Sequence, residues 1–275
     1  MKKDLKVKIL LFFLNLIFII MEILNIFIKI KKIKINRYGK TFYVTGNLKY
    51  FLHWKNKSWE INTHKIFDKI LDNNHSYIDV GAFIGATVLY GAHLAKRVYA
   101  LEPDPIAFKE LQKNVSLNPL LKEKIILYNK CLYNKTEKVK FGSMTRGGDS
   151  VSSLIFADSK TSWVVEGVTI DDFIKENNIN DCNFIKIDIE GAEALILPSM
   201  KKFLSKNKTE LFLSMHPKFF NNPKENTMKI IDVLKIYKNI YLDNGKKIDI
   251  NDLLSKEKLS KNYAIIATDK EFNSF

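Results

Sequence analysis

A chain of 275 residues with 46% hydrophobic side chains can bury one sizeable core, with some length left over, which excludes a disordered or fibrous protein. The formal net charge of +14 is uneven: residues 1–40 hold ten basic against two acidic side chains, so +8 sits at the N-terminus and +6 is spread over the remaining 235 residues, within a general richness in Lys, Asn and Ile. Cys131 and Cys182 belong to no CxxC pair, which excludes a disulfide framework and points to a reducing compartment.

Residues 9–28, ILLFFLNLIFIIMEILNIFI, form an apolar run of twenty, about the length that crosses a hydrocarbon core. Asn15, Glu22 and Asn25 fall at i, i+7 and i+10, one stripe of a helix whose other faces are lipid-like. The run is too long for the apolar core of a secretory signal, and no small-x-small cleavage site follows it. Residues 1–35 are therefore read as a membrane anchor with basic flanks, spanning or lying in the interface. The more basic flank, residues 29–40, keeps the rest of the chain in the cytoplasm.

Residues 36–65 read as a small β-rich or irregular lead-in, with alternation at 40–45 and aromatics at Phe51, Trp54 and Trp59. From residue 66 to 275 a strand–helix rhythm defines an α/β domain. Strands are predicted at 77–81, 97–102, 125–130, 184–188, 210–215, 239–243 and 263–268. Helices are predicted at 64–71, 85–95, 105–117, 170–177, 192–205 and 224–237. Pro105 suits a first helical turn, and Thr169-Ile-Asp-Asp172 resembles a capping box. The pattern breaks over 133–168, where glycines and the serines of 150–153 predict a functional or mobile insertion.

Several strands end in chemistry-bearing residues, where open α/β sheets bind ligands. The first ends Asp79-Val-Gly81-Ala-Phe-Ile-Gly85. Gly81 suits a tight turn and Gly85 a close helix approach, but Ala82 and Phe83 replace the glycine that pyrophosphate requires. The loop therefore suits a nucleoside without a diphosphate. The next strand ends at Glu102, 21 residues after Gly81, in the register from which a carboxylate accepts hydrogen bonds from both ribose hydroxyls. Lys186-Ile-Asp188-Ile-Glu190-Gly191-Ala192-Glu193 gathers three acids and a lysine at a later strand end, candidates for general base, metal ligand or substrate orienter. His216, before Pro217, ends the strand after that and faces the same crevice.

This ordered set resembles the FkbM family of S-adenosylmethionine-dependent methyltransferases over roughly residues 75–220: Asp-Val-Gly-Ala-x-x-Gly at 79–85, Glu-Pro at 102–103, serines at 150–153, Thr-x-Asp-Asp at 169–172, Lys-x-Asp-x-Glu-Gly-Ala-Glu at 186–193 and His-Pro at 216–217. The resemblance implies a Rossmann-like class I fold, a seven-stranded mostly parallel sheet in the order 3-2-1-4-5-7-6. It implies O-methylation of a hydroxyl on a sugar, glycan or lipid-linked acceptor. By position, Asp79, Gly81 and Gly85 would line the methionine end of S-adenosylmethionine, Glu102 the ribose, and Asn129 to Cys131 the adenine. Asp188 or His216 would be the base, Glu190 would orient the acceptor, and Lys186 and Glu193 would contact it. Many relatives carry an acid just before the late His-Pro; here Ser214 and Met215 stand there, so no metal is assigned.

The competing readings are a nucleic-acid methyltransferase and an idle membrane-tethered scaffold. The first lacks both the Pro-Pro-aromatic motif of amino-methylating enzymes and a Pro-Cys nucleophile, and its acidic mouth opposes a phosphate backbone. The second is opposed by the intact glycine loop and Glu102.

Overall fold

The computed structural model describes residues 32–57 and 59–272, together with Leu16 and Ile20. Of the predicted anchor, residues 1–35, the apolar run 9–28 falls outside the described residues apart from those two, while residues 33–35 belong to a strand. Among the described residues, no helix is long and apolar enough to cross a membrane.

The lead-in opens with a hairpin, β1 (Ile33–Arg37) and β2 (Lys40–Val44), paired antiparallel in register Arg37↔Lys40. Its two-residue turn, Tyr38-Gly39, has positive φ at both positions, the twist that suits a tight hairpin. Helices Leu48–Lys55 and Ile61–Ile70 follow. The sheet strands then come in as β3 (Ser76–Val80), β4 (Arg97–Leu101) and β5 (Ile125–Tyr128). The single strand predicted over 125–130 breaks at Asn129, whose side-chain amide donates to the carbonyls of Glu102 and Pro103 at 2.8 and 3.1 Å. Past that break β6 (Lys130–Leu132) leaves the main sheet.

The 133–168 insertion holds β7 (Lys138–Ser143), β8 (Ser152–Ser153) and β9 (Thr161–Val168), which join β6 in a small sheet ordered β6-β9-β7-β8. The main sheet resumes with β10 (Cys182–Ile187), β11 (Glu210–Met215), β12 (Asn239–Leu242), the two-residue β13 (Lys247–Ile248) and β14 (Tyr263–Thr268).

Its order is β13-β12-β14-β11-β10-β3-β4-β5, with β14 antiparallel between β11 and β12. Leaving aside β13, a short hairpin extension at one edge, this is the 3-2-1-4-5-7-6 order.

Alternate residues of each central strand feed opposite faces. Ile78, Leu101, Ile185 and Leu213 pack with Phe173, Leu197 and Leu204 from the helices on one side. Tyr77, Val98, Phe184 and Phe212 pack on the other with Ile66, Phe67, Val88 and Leu111. Phe42, Val44, Tyr50 and Trp54 of the lead-in are buried in that second cluster. The lead-in is thus built into the core that the sheet needs on that face.

Candidate active site

The first loop is shaped by how closely two strand ends meet. Asp188 N–H donates to Val80 O at 3.0 Å, so the end of β10 lies against the end of β3. Gly81 has φ +82°, and a Cβ there would overlap the carbonyl oxygen of Asp188. Its N–H and that of Ala82 both donate to Leu101 O, at 3.0 and 3.1 Å, tying the loop to the end of β4. Gly85, at φ +96°, opens helix Ala86–Ala92, and a Cβ there would press on Leu111.

Glu102 stands at the other side of this junction. Its two carboxylate oxygens accept from Phe83 N–H at 2.7 Å and Asp104 N–H at 2.8 Å. Burial, and then the charge of Asp104, raise its carboxyl to about 8 against those two donors. A cavity of about 250 Å³ opens beside it. Gly81, Ala82, Phe83 and Glu102 line it together with the apolar Leu101, Cys131, Leu132 and Phe141 and the acids Asp188 and Glu190. Apolar side chains, a carboxylate in the ribose register and an acidic pair around one cavity match the base, ribose and sulfonium of S-adenosylmethionine, so the residues present fit that cofactor.

Asp79 lies behind this wall. It is fully buried, accepting from Tyr77 Oη at 2.5 Å, Thr87 Oγ1 at 2.6 Å and Lys186 Nζ at 3.1 Å. Lys186, equally buried, also donates to Gly81 O at 3.3 Å and lies 3.7 Å from Asp188 Oδ2. Burial alone would lower its pKa, but Asp79 and Asp188 raise it above the ordinary lysine value. Lys186 was expected to hold substrate; it lines the cavity, and its ammonium is engaged by Asp79, the glycine loop and Asp188. Asn129 likewise braces the Glu102-Pro103 turn, while Cys131, free and buried, reaches the cavity wall.

Just past the end of β11, His216 sits among three carboxylates. Nδ1 is 2.7 Å from Glu193 Oε1, and Nε2 is 3.5 Å from Asp188 Oδ1 and 3.4 Å from Glu190 Oε2. Burial would lower the imidazole, but Glu193, Asp188 and Glu190 raise it to about 9. Burial, opposed by His216, lifts Glu190 to about 7. Glu193 is fully buried and its Oε1 also accepts from Gly191 N–H at 3.1 Å, so it fixes the imidazole and is not placed to touch an acceptor. The expectation of no metal rested on Ser214 and Met215, but the carboxylates come from the neighbouring β10 end. Asp188, Glu190 and His216 each offer a ligand atom within 4.8 Å of the others.

Three further parts of the site are not signalled by the sequence. Trp59 and Glu60, from the lead-in, line the cavity. Asp104 caps helix Pro105–Ser116 through Oδ1, while Oδ2 accepts from Gly148 N–H at 2.6 Å and Ser152 Oγ at 2.8 Å. The insertion's serine stretch is thereby drawn over the cavity, where Ser150 and Ser152 line it and Ser153 Oγ donates to Ile189 O at 2.8 Å. The serine cluster itself is visible in the sequence; its partner is not, because Asp104 reads there as a helix cap alone.

A parallel sheet whose central strand ends carry a glycine loop and a ribose-register acid defines a nucleoside-binding α/β protein. The model of the methyltransferase FkbM domain matches residues 79–245, and the chain belongs to that family. No curated protein matches it. Among solved structures, the methyltransferase FkbM from Methylobacillus flagellatus is 19% identical with a TM-score of 0.46, covering 71% of this chain and 44% of that one. This chain thus spans under half the length of that protein. Precorrin 8w decarboxylase from Methanobacterium thermoautotrophicum is 14% identical, TM-score 0.43, covering 76% and 89%. TYW2 from M. jannaschii, in complex with AdoMet, is 15% identical, TM-score 0.43, covering 86% and 84%.

Proposed function

We propose that the chain transfers the methyl group of S-adenosylmethionine to a hydroxyl of a sugar, glycan or lipid-linked acceptor. The observation that carries this reading is a single cavity lined both by Glu102 and by Asp188 and Glu190, with His216 beside those two acids. When bound, the cofactor supplies a methyl group already activated on a sulfonium. Glu102 would accept from the ribose hydroxyls, and the apolar Leu101, Cys131 and Phe141 would pack on the base. Lys186 and the abutting Gly81 fix Asp188, whose charge would favour the sulfonium. Asp188 or His216 accepts the proton that the acceptor hydroxyl loses, with Glu190 orienting that hydroxyl.

Incubation with methyl-labelled S-adenosylmethionine and native cell fractions, followed by mass analysis, tests the reading. Label is expected in a hydroxyl-bearing glycan or lipid. Label in nucleic acid would overturn the acceptor class. A thermal-shift titration separates off the idle scaffold, since saturating cofactor must raise Tm in a true binder.

The site of action we propose is the membrane surface, on the strength of the apolar run 9–28 and its basic flanks. Full-length chain is expected in the membrane fraction after lysis, and recovery in the soluble fraction would remove the argument for a lipid-linked acceptor.

A further inference from the structure

We infer that Asp188, Glu190 and His216 form a divalent-cation site beside the cavity, taking a cation of the Mn²⁺ class, which accepts both carboxylate and imidazole. This rests on the methyltransferase reading only for its purpose, not for its geometry.

The three side chains come from two strand ends, β10 and β11, that the sheet sets side by side. His216 Nε2 faces Asp188 Oδ1 at 3.5 Å and Glu190 Oε2 at 3.4 Å. A cation about 2.0–2.2 Å from each ligand holds such atoms about 3–4 Å apart, the spacing of Nε2 from both acids, and all three ligand atoms lie within 4.8 Å of one another. The two carboxyl oxygens of Asp188 are divided: Oδ2 faces Lys186, and Oδ1 faces His216. Lys186 therefore orients Asp188 without occupying its ligand atom.

The second observation is behind the imidazole. Nδ1 lies 2.7 Å from Glu193 Oε1, the carboxylate–histidine arrangement that leaves Nε2 aimed forward as a ligand and raises its basicity. Glu193 is wholly buried, and its Oε2 has no hydrogen-bond partner. Three carboxylates around one imidazole leave negative charge in a largely buried place, and a dication would compensate it. Two carboxylates and one imidazole also leave coordination positions open, on the cavity side, for an acceptor oxygen. With the cation bound, His216 Nε2 would be a ligand and not the base, and the cation would instead ease loss of the hydroxyl proton to solvent by lowering its pKa.

A proton on Nε2 shared with the two acids would give the same constellation with no cation, and a metal titration separates the two. Full-length chain stripped with chelator is titrated with Mn²⁺, free Mn²⁺ being read by its paramagnetic resonance signal. One bound Mn²⁺ is expected, with affinity at least tenfold weaker in Glu190→Gln and in His216→Gln. Glu225→Gln, an exposed acid paired with Lys229 and Asn222, is expected to bind as the parent does. Mn²⁺ is also expected to raise the Tm of the parent and not of the two site variants, whose own cooperative unfolding shows that they fold. No uptake, or uptake that survives both substitutions, would overturn the site. Calorimetric S-adenosylmethionine binding on the same preparations reports independently: heat without Mn²⁺ uptake sinks only the cation site, and Mn²⁺ uptake without heat sinks only the cofactor reading.

Discussion

At the scale of single residues, the site depends on two positions whose demands are opposite. Gly81 is required by space and backbone: its φ is +82° and Asp188 O occupies the place of a Cβ. Gly81→Ala is expected to cost at least about 2 kcal/mol in backbone strain alone. The corresponding fall in Tm is about 4–8 °C, and calorimetry checks it. An unchanged Tm would mean that β3 and β10 do not abut as described. Glu102 is a site residue held at the expense of stability. Its carboxyl is lifted from the ordinary 4.5 to about 8, chiefly by burial. Between those values the folded chain keeps a proton that the unfolded chain has released, so this group's effect on stability worsens as pH rises through the window. Glu102→Gln removes that dependence. The Tm of the variant relative to the parent should therefore climb from pH 5 to pH 8; a flat difference would refute the raised pKa.

At the scale of elements, the insertion acts as a cover because Asp104 serves two elements at once. One oxygen caps helix Pro105–Ser116 and the other takes Gly148 N–H and Ser152 Oγ. Tyr50 Oη and Lys49 Nζ add bonds from the lead-in to Gly148 O and Gly147 O, both at 2.8 Å. Asp104→Asn keeps the capping oxygen but puts an amide where Gly148 needs an acceptor. We expect a stability loss of only about 1–2 kcal/mol, together with faster amide exchange over 147–153 and weaker cofactor binding. Exchange that stays as in the parent would show that the cover is held by other contacts.

At the scale of the whole molecule, the lead-in and the sheet share one hydrophobic cluster. Phe42 is 1% exposed and Trp54 3%, and both pack with strand residues such as Tyr77 and Phe184 in that cluster. Phe42→Ala should cost about 3–5 kcal/mol, as for other buried aromatics cut back to alanine. A chain starting at residue 66 should lose cooperative thermal unfolding, because the second face of the sheet would be left uncovered. If such a chain melts like the parent, the lead-in is an accessory and not part of the core.

Much of the sheet is legible in the order of the amino acids. Parallel strands buried on both faces have to be written as apolar, β-branched runs, and 76–80 and 182–187 are such runs ending on loops with glycine. Local rules also carry the caps: Asp104 accepts from Ile106 and Ala107 N–H, and Thr169 accepts from Asp172 N–H. Roles that depend on which side chains meet are out of reach of such rules. Asp79 and Lys186 are 107 positions apart, and only the pairing of β3 with β10 shows that they neutralise each other beneath the cavity floor. The same holds for His216, which a strand-end position marks as a site residue but which gains Asp188 and Glu190 only when β10 and β11 lie in register. The sequence by itself determined the fold class, the family pattern and the glycine and acid positions of the cofactor loops, because these follow from local periodicity and turn chemistry. Tertiary structure decided which acids are buried braces and which face the cavity, and that the insertion and lead-in close over it, because those outcomes depend on contacts between residues far apart in the chain.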